Sequence, residues 1–95
     1  MKYSLSIIIP SYNSIKTIDN CLSSIFKSKF KNYEVIVVSD NSNDGSNNII
    51  KKYSCRLIKL KKNVGAAAAR NVGAKIAKGD ILVFLDSDVI IKNNA

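Results

Sequence analysis

Asp86 and Asp88, separated by one serine and placed directly after the apolar run Ile81-Leu82-Val83-Phe84-Leu85, are the residues whose type and spacing best fit chemistry. In extended backbone, residues two apart project to the same side, so the spacing predicts two carboxylates facing together. At a separation of roughly 6 Å they would repel by about 3 kcal/mol at an effective dielectric of ~20, and such a pair calls for a cation. Mg²⁺ or Mn²⁺ carrying a diphosphate fits, because hard cations take oxygen ligands and share them with phosphates. The simpler alternative is an acidic turn that ends a strand.

The elements that must position this pair can be read in order. Leu5 to Ile9 is an apolar, β-branched first strand, and Pro10, which has no N–H to donate, is expected to end it. Ser11-Tyr12-Asn13-Ser14 follows as a polar loop with a helix N-cap expected at Asn13 or Ser14. Ile15, Ile18, Leu22, Ile25 and Phe26 then recur at helical spacing up to Lys27, with Cys21 bordering that face. Tyr33 to Val38 is a second strand of the doubly buried type, closed by the turn-rich Ser39-Asp40-Asn41-Ser42-Asn43-Asp44-Gly45-Ser46. A short helix to about Tyr53 directs Ile49, Ile50 and Tyr53 inward, and Arg56 to Leu60 reads as a strand near an edge.

The alanine-rich stretch Val64 to Ala77 predicts a third helix. Small residues at 65, 66, 69 and 73 let it approach the sheet or a ligand closely. Lys78-Gly79 fits a C-terminal cap with a left-handed glycine. Ile81 to Leu85 is expected to be a strand buried on both faces, and Val89 to Ala95 shows no regular pattern. The order β-α-β-α-β-α-β calls for an α/β fold: a Rossmann-like open parallel sheet with right-handed crossovers.

Composition narrows the function classes. Ninety-five residues allow one domain, and 46% apolar with 23% charged residues is a globular composition. No apolar run approaches the ~20 residues of a membrane span, and no cleavage site follows Lys2, so no secretion signal is expected. The absence of histidine excludes a Ser-His triad or a His-ligated zinc within these residues. Cys21 and Cys55 lack metal-ligand spacing and read as reduced thiols of a cytoplasmic protein. The net charge of +8 is nearly all lysine. It reads either as a solvated surface or as attraction to a polyanionic acceptor or anionic headgroups at the inner face of a membrane. Nucleic acid is not expected as a partner, because no aromatic platform or recognised motif accompanies the charge.

Of the seven acids, Asp40, Asp44, Asp86 and Asp88 fall just after predicted strands. Ligands of open parallel sheets bind at that carboxyl edge, where strand order reverses. Three polar clusters meet there: Pro10 to Asn13, Ser39 to Asn41, and Asp86 to Asp88. The glycine fingerprint of a dinucleotide fold is missing after the first strand, as is a P-loop. A phospho-receiver domain would need an acid after that strand, and there is none. Asp44 reads as a turn or cap residue and Asp80 as a residue preceding the last strand.

Four segments together resemble the family 2 glycosyltransferases: Ser6-Ile7-Ile8-Ile9-Pro10-Ser11-Tyr12-Asn13; Tyr33-Glu34-Val35-Ile36-Val37-Val38-Ser39-Asp40; Gly65 with Ala68-Ala69-Arg70-Asn71; and Gly79-Asp80 leading to Leu85-Asp86-Ser87-Asp88. The resemblance implies a GT-A fold, a nucleotide-diphosphate sugar donor, expected to be UDP-linked, a divalent metal (Mn²⁺ or Mg²⁺), and inverting transfer to a glycan, lipid or protein acceptor. By position, Pro10, Tyr12 and Asn13 belong to the nucleotide pocket, with Tyr12 offering a stacking face. Asp40 would accept a hydrogen bond from the base. Asp86 would lie at the ribose and metal, and Asp88 would ligate the metal. Arg70 occupies a frequently basic position, as a nucleotide contact or as a helix-to-loop pairing. The pattern departs at Ser39, where the family often carries a second acid. The family's acceptor-binding half and catalytic base are expected beyond Ala95, so residues 1–95 read as the N-terminal donor-binding half. The competing readings are a non-catalytic nucleotide-binding remnant and a related nucleotidyltransferase, whose Gly- and basic-rich loop after the first strand is missing.

Overall fold

The computed structural model describes residues 3–92. Seven elements alternate: β1 (Tyr3–Ser11), α1 (Ile18–Phe26), β2 (Tyr33–Ser39), α2 (Ser46–Ile50), β3 (Arg56–Lys59), α3 (Ala66–Ile76) and β4 (Gly79–Phe84). All strand pairs are parallel and the sheet order is β3-β2-β1-β4. The expected α/β architecture is therefore present, with the reversal of strand order between β1 and β4.

Alternation along the two central strands divides the core. Ile7, Ile9, Val35 and Val37 pack with Ile18, Cys21, Leu22 and Ile25 of α1 and Ile50 of α2. Ile8, Ile36 and Val38 face the other way, against Ala69 of α3. Burial on both faces is why these strands are continuous apolar runs. A Cβ on Gly73 would stand 2.5 Å from Ile8 Cγ2, so this glycine sets how closely α3 can lie on the sheet.

Several local expectations are corrected. β1 continues through Pro10, which pairs in register with Val38. Ile8 O accepts from Leu85 N and Ser11 O from Asp40 N, so the backbone polar groups of Ile8 face β4, and Pro10, two residues on, turns its donor-less nitrogen that way. The β1–β4 pairing ends at Ile8 and Phe84, so no ladder bond is lost. Among the described residues β4 is not buried on both faces: it lies at the edge of the four strands, and Ile81, Leu82 and Phe84 are exposed while Val83 and Leu85 pack on the core.

The first helix starts later than expected, with Thr17 rather than Asn13 or Ser14 at its N-cap, and Ile15 is exposed. Cys21 is fully buried rather than bordering the apolar face. α2 ends at Ile50, short of Tyr53, and Leu60 lies just past β3. Gly79 is no left-handed cap: it opens β4, where a Cβ would come within 2.7 Å of the Leu5 backbone. Asp80 lies within β4 rather than before it. Ile91 donates its N–H to Ser24 Oγ, and 93–95 lie outside the described residues.

Candidate functional site

At the carboxyl edge, beside the reversal of strand order, a cleft of about 450 Å³ opens. Pro10 near the end of β1, Tyr12 and Asn13 from the loop after it, Asp40 after β2, Ala66 at the start of α3, and Asp86, Ser87 and Asp88 after β4 line it. The three polar clusters seen in the sequence thus converge as expected for a parallel sheet.

Asp40 is the most constrained acid of the cleft. Its side chain accepts from Val64 N through Oδ1 and from Gly65 N through Oδ2, both at 2.8 Å, and the residue is 3% exposed. Gly65 takes φ +93°, a backbone that a Cβ would strain, and this lets two successive N–H groups address one carboxylate just before α3. Each oxygen keeps a further lone-pair site for a donor in the cleft.

The loop after β1 is tied to the loop after β2. Asn13, at φ +46°, accepts from Asn43 N through Oδ1 and donates its own N–H to Ser42 Oγ. Asp44 accepts from Ile15 N and from Ser46 N. The small desolvation of Asp44 opposes ionisation, but hydrogen bonds from Ser46 and the Ile15 N–H outweigh it and hold its carboxyl below the usual range. Tyr12, 57% exposed, stands at the rim of this braced loop with its ring available for stacking.

The Asp86–Asp88 segment is a turn closed by Val89 N–H on Asp86 O, not the extended backbone that the spacing predicted. Both carboxylates still line the same cleft. Arg70 Nη2 donates to Asp86 Oδ1 at 3.0 Å, so α3 holds one of the two acids through the helix-to-loop pairing. Among the described residues no group of three Asp, Glu, Cys or His converges as a metal cage. Two carboxylates open to the cleft are nonetheless a donor set for Mg²⁺ or Mn²⁺ that shares a diphosphate, since such ions keep waters and phosphate oxygens as their other ligands.

Two features modify the sequence reading. Ser39 is fully buried and donates to Asn47 Oδ1 of α2, so its side chain is committed outside the cleft lining. Cys21 lies behind the turn, with Sγ 3.8 Å from Asp86 O; burial and then the negative charge of Asp88 push its thiol up to about 11. It stays protonated and takes no nucleophilic role. Ser14, Thr17 and Ser87 also line the cleft and were not singled out by sequence. Their only signal is position, since Ser14 and Thr17 lie in a turn the sequence assigned to the helix start.

The model for Glycosyl transferase family 2 matches residues 6–95. The chain belongs to this family. It is 43% identical over 91 residues to the UDP-Glc:alpha-D-GlcNAc-diphosphoundecaprenol beta-1,3-glucosyltransferase WfgD of Escherichia coli, covering 93% of this chain and 36% of that protein. Its fold superposes on Staphylococcus aureus TarS 1–349 in complex with UDP-GlcNAc with a TM-score of 0.86 and 39% identity, covering 93% of this chain and 27% of that one. For the mannosyltransferase PcManGT of Pyrobaculum calidifontis, in complex with GDP-Man and Mn²⁺, the TM-score is 0.87 at 25% identity, covering 95% and 29%. This family 2 chain therefore spans about a third of the length of such relatives, and what it matches is their GT-A sheet.

Proposed function

We propose that residues 1–95 form the N-terminal, donor-binding half of an inverting glycosyltransferase that takes a UDP-linked sugar. The observation that carries this reading is the single cleft at the strand reversal, in which Tyr12, Asp40, Asp86 and Asp88 meet. It is supported by solved relatives that hold UDP-GlcNAc or GDP-Man with Mn²⁺.

In this reading Tyr12 stacks on the base, and Pro10 and Asn13 shape the wall beside it. Asp40, already fixed by two backbone donors, accepts an N–H of the base. Asp86 lies towards the ribose and metal, and Arg70 orients it. Asp86 and Asp88 would hold Mg²⁺ or Mn²⁺, which would offset the negative charge that grows on the leaving diphosphate. The acceptor hydroxyl, of a glycan, lipid or protein, attacks the opposite face of the sugar. A carboxylate base supplied from outside these residues takes its proton. The site of action is the cytoplasm, in keeping with two free thiols.

Calorimetric titration of UDP into the chain, with Mn²⁺ and again with EDTA, tests the reading. Saturable binding that needs the metal and is lost in Asp88→Asn is expected. Failure of the folded chain to bind UDP under either condition would refute a working donor site in these residues.

A further inference from the structure

The opposite edge of the sheet is chemically different from the cleft. Helices that connect parallel strands run back against them, so the segments after α1 and α3 return the chain to the amino edge. Lys27, Lys29 and Lys31 lie in the first segment, and Lys75 and Lys78 at the end of α3 and just after it; all are exposed. The two segments flank the start of β1. Asn32 O accepts from Ser4 N, and Gly79 stands in register with Tyr3.

Two acids share this edge. Glu34 is buried and turned inward, accepting from Ser6 Oγ and Lys78 N at 2.6 Å each. Asp80 is exposed and is engaged within the structure, and it is outnumbered by the lysines. In the middle of the first lysine group stands Phe30, 39% exposed, with its ring edge-on to Tyr33 at 5.9 Å.

We propose that this edge docks the protein on an anionic lipid surface, with the five lysines against the headgroups and Phe30 in the interfacial zone. Charge complementarity favours any polyanion, because each lysine near an anionic bilayer adds attraction. Phe30 selects among polyanions. A soluble one leaves that ring in water, whereas a bilayer interface takes up an aromatic side chain flanked by cations. The seven residues of β2 span roughly 23 Å, so a docked chain keeps its cleft clear of the headgroups and open to a soluble ligand. This inference is independent of what the cleft binds.

Co-sedimentation with vesicles of phosphatidylcholine alone, or mixed equally with phosphatidylglycerol, is the test, with circular dichroism of each variant to confirm the fold. The chain is expected to sediment with the anionic vesicles only, and to be released by about 0.5 M salt. The triple variant Lys27→Gln, Lys29→Gln, Lys31→Gln should weaken binding by about a hundredfold. Phe30→Ser should weaken it several-fold, and the control triple Lys59→Gln, Lys61→Gln, Lys62→Gln, placed toward the other edge, much less than the first. Absence of sedimentation overturns the proposal. So does an equal loss in both triples, which would mean diffuse attraction. Unchanged vesicle binding by Phe30→Ser, with equally tight binding to heparin, would make the edge a polyanion site instead of a lipid one.

Discussion

Asp40 and Asp86 both follow a parallel strand and both face one cleft, yet they are held in opposite ways. Asp40 is buried, with each oxygen bonded to a backbone N–H. The Asp86 side chain is 66% exposed and pairs with a single guanidinium that is itself partly exposed. The first carboxylate is built into the fold, and its geometry is set before any ligand arrives. The second belongs to the exposed turn after β4, where a ligand or cation can compete for its oxygens. A site that needs both rigid recognition and exchangeable ligands gains from having one of each.

The largest effect should come from Asp40→Ala. It strands two N–H groups at the start of α3, and chemical denaturation is expected to show a loss of about 3 kcal/mol. Asp88→Asn, which abolishes metal-dependent UDP binding in the reading above, should leave the same denaturation midpoint nearly unchanged. Equal destabilisation by the two variants would erase the contrast between the loops.

Gly79→Ala sharpens the comparison from a distance. Its Cβ would stand 2.6 to 2.7 Å from Ser6 and the Leu5 backbone, which cannot yield as a flexible side chain would. A cost of about 1–3 kcal/mol is expected. The displacement of β4 should perturb amide chemical shifts in the Asp86–Asp88 turn more than those of Val64 and Gly65. Arg70→Gln removes an exposed pair and should cost no more than about 1 kcal/mol in stability, while weakening UDP binding in the presence of Mn²⁺ if Asp86 must be oriented.

Asp44 gives the smallest effect. Its carboxyl is held below the ordinary value of 3.8, so the unfolded chain binds the proton more readily. The stabilisation from its bonds is therefore complete above that value and is lost as pH falls through the lower folded one. A melting-temperature series should show this acid-side decline flattened in Asp44→Asn, with no difference near neutrality.

Much of this was legible in the chain. Ile7 to Ile9 and Val35 to Val38 are uninterrupted apolar runs, and only a strand covered on both faces accounts for them, so the layered fold followed. The polar residues after each strand fell at the carboxyl edge because parallel connectivity leaves them no other place. Ile81 to Leu85 departs from the same expectation. An apolar run reports what a strand could bury, not which element covers it, and within the described residues α3 lies over β1 and β2 while β4 has β1 as its neighbour. Pro10 stays within β1 for a related reason, since a missing N–H matters only on the side where a neighbour asks for it.

The sequence by itself determined the alternation of strands and helices, the placement of its acids after strands, and the glycine before α3. These depend on residue type and on contacts between near neighbours. Only the tertiary structure decided that Asp40 is locked by Val64 and Gly65, that Arg70 reaches Asp86, and that Asn13 and Asp44 staple two loops together. Those partners are 16 to 30 residues apart. A hydrogen bond across such a separation forms only once the sheet has fixed both ends in space, so no local pattern can encode which oxygen meets which N–H.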